Sequence, residues 1–176
     1  LTADHYGNEG IFIGKFDKAS GDLVTTGGDE SVPLTFTTYT NGNFTVSASA
    51  EYSNAWKAFD DSGATYWRSD TVDPWIMIES SDKINISAFK INIRTGSSYR
   101  PTEITVTGSN DGVIWTTIYT ESELDDTFDL ALKTLDSDYK YRYIKFQFTG
   151  PALMQIYQIF IYKRETISTE YGISAV

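Results

Sequence analysis

Cysteine is absent from all 176 residues. No disulfide framework, thiolate zinc site or cysteine nucleophile can be built, and the redox compartment stays open. Histidine is almost absent: His5, close to the start, is the single one. One such residue supports neither a multi-histidine metal centre nor a Ser-His-Asp triad in the body of a domain. Most hydrolytic chemistry is thereby removed. A carboxylate pair, the minimum for a glycosidase, is the one enzymatic reading left, and nothing else favours it. Cations are scarce, 14 Lys and Arg against 24 Asp and Glu, for a net charge of -10. Nucleic acids and anionic membranes both require clustered Lys and Arg, so neither is an expected partner. No apolar run reaches the ~18 residues of a spanning helix. The first residues show neither a basic n-region nor an apolar h-region, so no signal peptide is expected, and a chain beginning at Leu1 reads as an excised fragment or processed product.

Aromatic residues are plentiful, with 12 Tyr, 10 Phe and 4 Trp. They supply a core for one domain of ordinary size. Alternation dominates the chain. In "FKINIRT", Phe89, Ile91 and Ile93 fall on one face and Lys90, Asn92 and Arg94 on the other. "EITVTGS" and "YIKFQFTG" repeat the pattern, which is that of half-buried strands. "PWIMIES" and "QIYQIFIY" are more continuously apolar and read as buried strands. "NGN", "DDSGA", "GSSYRP", "SNDG" and "TGP" punctuate them, and Asp111-Gly112 suits a type I′ hairpin turn. "ESELDDTFDLALKTL" has patchy apolar spacing and reads as a loop followed by a strand. Many short strands with regular turns predict an all-β sandwich or jelly roll. Residues 1–33 differ: a small hairpin around Ala19-Ser20-Gly21, then a linker, form an N-terminal arm. The expected division is an arm at 1–33, a sandwich at 34–164 and a tail at 165–176.

One stretch, "AWKAFDDSGATYWRS" from Ala55 to Ser69, follows neither a strand nor a helix period. Taken with "PWIMIES", "RPTEITVTGSNDGVIWTTI", "YRYIKFQF" and "IYQIFIY" in that order, it resembles the discoidin, or coagulation-factor type C, domain family. Ala58-Phe59-Asp60, Thr65-x-Trp67, Ser109-x-Asp111-Gly112-x-x-Trp115 and Tyr141-Arg142-Tyr143-Ile144 carry the resemblance. The family includes bacterial and phage carbohydrate-binding modules with a galactose-binding-like jelly-roll β-sandwich.

The resemblance implies a calcium loop with the Lys57 carbonyl, the Asp60 carboxylate, the Ser62 carbonyl and the carbonyl and hydroxyl of Thr65 as ligands. Such oxygens suit a hard cation. A last-strand carboxylate completes the family site, and Gln158 stands at that position here. Asp61 replaces the usual glycine. The resemblance also places Phe59, Trp67, Trp75 and Trp115 in the core and leaves Trp56 partly exposed. It assigns ligand binding to four loops: Tyr52 to Asn54, Arg68 to Asp73, Arg94 to Arg100, and Pro151 to Gln155. The candidate ligand residues are Tyr52, Arg68, Asp70, Arg94, Tyr99 and Arg100, with Tyr99 offering an aromatic face. Arg68 stands where sugar-binding relatives often carry histidine. Its pairing with Arg94 or Arg100 would favour an acidic sugar. Leu153 and Met154 are expected as exposed apolar loop residues, but the acidic balance argues against lipid insertion. The expected function is a non-catalytic module that binds cell-surface or cell-wall glycans within a larger, oligomeric extracellular, surface or phage-virion protein. The competing expectation is a structural protein–protein domain of a phage tail, fibre or capsid.

Overall fold

The computed structural model describes residues 15–16, 23–32, 34–51, 53–96, 98–129 and 131–169. Two compact units are defined, one comprising 1–28 with 165–176, the other 29–164. In the first, strand β1 (Lys15–Phe16) pairs antiparallel with the start of β2 (Leu23–Ser31). The turn expected at Ala19-Ser20-Gly21 lies outside the described residues, as does His5.

The second unit is built from β3 (Thr40–Asn41), β4 (Phe44–Ala48), β5 (Trp67–Arg68), β6 (Trp75–Ile93), β7 (Glu103–Ser109), β8 (Thr116–Ser122), β9 (Lys133–Thr149) and most of β10 (Gln155–Thr169). Two long strands organise it. The first half of β6 pairs with β4 and with residues 143–147 of β9. Its second half pairs with β10 and with residues 133–141 of β9. The register breaks between Glu79 and Ile84, where both strands pass from one layer to the other. β7 and then β8 extend the first layer beyond β9. All these pairings are antiparallel, and the result is the expected jelly-roll sandwich.

The core lies between the layers. Phe89, from the second half of β6, meets Phe146, from the second half of β9, with ring centroids 5.7 Å apart. Ile76, Ile78, Ile86, Ile91, Ile104, Ile144, Ile156 and Phe148 are fully buried around them. Each such side chain stabilises the fold by about 1.5–3 kcal/mol through removal from water. Phe59 and Trp67 are both 0% exposed. They anchor the irregular stretch: Phe59 packs on Phe36 at 6.0 Å and Trp67 on Phe148 at 6.3 Å.

Several expectations are corrected. "PWIMIES" alternates, with Ile76, Ile78 and Ser80 buried while Trp75, Met77 and Glu79 are half-buried. Trp75 therefore lies on the outer face rather than in the core. Trp115 is also outside it, edge-on to Tyr143 at 6.3 Å with the Lys145 ammonium 4.0 Å above its ring. Met154 is fully buried, while Leu153 remains 42% exposed. In "QIYQIFIY" a bulge between Ile156 and Gln158 keeps Ile156 and Ile159 on the core face, opposite Ile93 and Ile91, while Gln155 and Gln158 are buried on the other face, opposite Arg68 and Asn92. Asp111-Gly112 is not a type I′ pair: only Gly112 has positive φ, at 73°, and six residues separate β7 from β8.

Candidate functional site

The irregular stretch begins as a 3-10 turn, Ala55–Phe59, whose buried Ala55, Ala58 and Phe59 pin it to the core. Lys57 lies in this turn and donates its N–H to the Asn54 carbonyl at 3.1 Å. Asp60 follows and directs its carboxylate back into the loop. Its Oδ1 accepts from the Ser62 N–H at 2.9 Å and its Oδ2 from the Thr65 hydroxyl. The Thr65 hydroxyl also lies 3.5 Å from the Ser62 carbonyl. The loop thus gathers oxygens of Asp60, Ser62 and Thr65.

Asp61 has φ 57° and is exposed. That left-handed conformation explains why glycine is the usual residue here. Gln158 is 3% exposed, and its Oε1 is buried without a hydrogen-bond partner. Gln158 and Asp61 share a cavity of about 210 Å³. An orphaned buried carbonyl oxygen is unusual in a native fold and is the kind of group a cation satisfies. The donor set therefore fits Ca²⁺. Among the described residues no group of three His, Cys, Asp or Glu is assembled, so the set is one of carbonyls, a hydroxyl and one carboxylate.

The second candidate site lies at one end of the sandwich. The antiparallel pairing of β5 with β10 sets Trp67 opposite Ile156 and Arg68 opposite Gln155. Ser53 fastens the first loop to β5, accepting the Arg68 N–H at 2.7 Å and donating to the Tyr66 carbonyl at 2.9 Å. On the other side of Gln155, the Arg94 N–H donates to the Gln155 carbonyl at 3.0 Å. The Gln155 N–H donates in turn to the Tyr99 carbonyl at 3.2 Å. The side chains follow the backbone: Arg94 Nη1 donates to Gln155 Oε1 at 2.9 Å, and the Arg94 guanidinium lies 3.9 Å from the centre of the Tyr99 ring.

Of the expected ligand residues, Arg68, Arg94 and Tyr99 come together through Gln155. Asp70 is exposed on the turn after β5. Arg100 follows Tyr99 directly, and its charge is among the groups acting on Asp125. The Asp125 carboxyl is held below its usual range chiefly by the Thr127 hydroxyl and N–H, with Arg100 contributing less. Tyr52 lies outside the described residues. Gln155, which is 2% exposed, ends the fourth expected loop but is not among the ligand residues named from the sequence. In sequence its amide reads as a surface group, and only the pairing with Arg68 and the bond from Arg94 show its place.

The F5/8 type C domain model matches residues 43–159. A search of curated proteins finds no match. Among solved structures, the chain is similar to a family 32 carbohydrate-binding module (CBM32) from Clostridium perfringens in complex with GalNAc-β-1,3-galactose. The TM-score is 0.63 at 18% identity, covering 76% of this chain and 99% of that one. The family 32 module of NanJ from the same organism, in complex with galactose, gives TM-score 0.62 at 19% identity, covering 77% and 99%. The CBM32 of AlyQ, in complex with 4,5-unsaturated mannuronic acid, gives TM-score 0.57 at 18% identity, covering 66% and 92%. At these identities the likeness is one of fold.

Proposed function

This chain belongs to the F5/8 type C domain family, and from that premise we propose that it is a non-catalytic carbohydrate-binding module. It recognises cell-surface or cell-wall glycans as part of a larger extracellular, surface or phage-tail protein. The observation that carries the reading is the row Arg68, Gln155, Arg94 and Tyr99 at one end of the sandwich. It groups fixed donors on a rigid scaffold, as saccharide recognition requires. Single sites of this kind bind weakly, and an assembly of several supplies avidity.

The loop from Lys57 to Thr65 has a structural part in this proposal. Asp60, Ser62, Thr65 and Gln158 would hold Ca²⁺. The ion would supply positive charge to a cluster of oxygens and so fix the loop beside Arg68.

A glycan array probed with the wild-type chain and with Arg68→Ala and Arg94→Ala tests the reading. Wild-type binding lost in both variants is the expected result. No binding at millimolar sugar by folded protein would overturn it. One observation favours the second reading, a structural domain of a phage tail, fibre or capsid. Val113 and Ile114 stand side by side at 79% and 73% exposure, as residues of a protein contact do. A stable self-association abolished by Val113→Ser with Ile114→Ser, without sugar binding, is the result that reading requires.

A further inference from the structure

We propose that the saccharide bound at this end carries a carboxylate, recognised by the row in which Arg94 and Arg68 flank Gln155. The inference rests on the glycan-binding reading and names its ligand class.

Register places the groups. Arg68 and Gln155 are direct antiparallel partners, so their side chains stand on one face. Arg94 lies on the other side of Gln155 and is tied to it by both backbone and side chain. Two arginines therefore border one neutral amide, and the Arg94 guanidinium is bonded to it. Gln155 is buried and its amide oxygen is already engaged by Arg94, which fixes the guanidinium on one edge. Tyr99 fixes it on one face, 3.9 Å away. Tyr99 thus holds the arginine, and that face of its ring is closed to a sugar.

Hydrogen-bonding capacity then selects the ligand. Arginine has five donors and no acceptor, and Gln155 has given its acceptor to Arg94. The row presents donors. A sugar hydroxyl is best read by a donor and an acceptor together, whereas a carboxylate only accepts. The planar fork of arginine matches it in a bidentate way.

Charge points in the same direction. Among the described residues no carboxylate forms an ion pair with Arg94, whereas Lys133 pairs with Glu121 and Arg142 with Glu79. Two acids of the surrounding segments are held by backbone donors and form no ion pair with Arg94. Asp129 accepts the Ile93 N–H at 2.8 Å, and Asp73 accepts the Gly150 N–H at 3.1 Å. A half-buried guanidinium that forms no ion pair among the described residues favours an anion locally, against the long-range repulsion of a chain of net charge -10.

The test titrates the full chain with galacturonic and glucuronic acids, their methyl esters, and galactose and glucose, by calorimetry and NMR. The ester keeps the ring and removes the charge. At least one acid should bind about tenfold or more tightly than its ester. Arg94→Gln should abolish that preference, Arg68→Gln should reduce it, and added salt should weaken it in the wild type. Gln155→Met should lower affinity for the acid while leaving the charge count unchanged, as befits a positioning residue. Thermal melts establish that each variant is folded. Equal binding of acid and ester, or acid binding untouched by Arg94→Gln, overturns the carboxylate proposal and leaves the glycan module standing. Failure of every saccharide, acidic or neutral, to bind folded wild-type protein overturns both.

Discussion

Two aspartate-centred loops, Lys57–Thr65 and Ser109–Trp115, start from the same local chemistry and end differently. In the second, Asp111 Oδ1 accepts the N–H groups of Val113 and Ile114, each at 2.8 Å, and the Ser109 hydroxyl at 3.0 Å. Its donors are mostly backbone, and they hold its carboxyl below the usual range, Ile114 first, then Val113, then Ser109. In the first loop, Asp60 receives one backbone N–H and one hydroxyl. That hydroxyl also lies against a carbonyl, and Gln158, which shares a cavity with Asp61, has a buried oxygen without a donor. A turn whose carboxylate is met by backbone donors is complete in itself. A turn with more acceptors than donors is one that the proposed cation would complete.

Calcium removal should separate the two loops most widely. At 100-fold saturation a bound ion stabilises by about 2.7 kcal/mol. In a domain of this size that corresponds to about 5–10 °C in Tm. Scanning calorimetry with calcium and then with chelator should show a drop of that size in the wild type. Asp60→Asn should abolish the difference, and Asp111→Asn should preserve it. A wild-type Tm indifferent to chelator would erase the distinction.

Gln158→Glu should act in opposite directions with and without the ion. The added charge should tighten calcium binding about tenfold, or ~1.4 kcal/mol. Without calcium the same carboxylate is buried without a partner, and the variant should melt below the wild type. A variant equally stable under both conditions would place position 158 outside the ion's reach.

The Asp111 loop should instead respond to acid. Its folded carboxyl titrates below the unfolded value, so its contribution is complete above that value. The contribution fades as pH falls through the lowered folded value, in the region below about pH 4. Asp111→Asn should be less stable at neutral pH and lose less stability on acidification. Denaturant unfolding from pH 7 to 3 measures this, and parallel curves for the two proteins would remove Asp111 from the account.

The sandwich was legible because alternation and turn residues are local signals. "FKINIRT" states which side chains face inward without reference to any other segment. The tryptophans were harder. Trp75 and Trp115 are large and apolar, and only the parity of β6 and the packing against Tyr143 turn them outward. The arginines were legible as loop cations. The row that joins Arg68 to Arg94 was not, because it is created by register between residues 67–68 and 155–156, far apart in the chain. Gln155 illustrates the limit: its amide looks like a surface group in "LMQIY" until the pairing with Arg68 and the bond from Arg94 bury it between them.

The smallest expected effect comes from Asp61, and it tests whether the first loop compensates for its missing carboxylate. At φ 57° an aspartate pays part of the ~1–2 kcal/mol penalty of the left-handed region. Glycine removes that cost, but its greater freedom in the unfolded chain takes back ~0.5–1 kcal/mol. Asp61→Gly should therefore raise stability by only about 0.5 kcal/mol without calcium. Asp61 also borders the cavity that contains Gln158, the position of the last-strand carboxylate implied by the resemblance. If the Asp61 charge supports the ion, Asp61→Gly should weaken calcium binding while stabilising the calcium-free protein. If calcium affinity is unchanged, the residue serves the turn alone, and the loop binds its ion with Asp60 as the sole carboxylate.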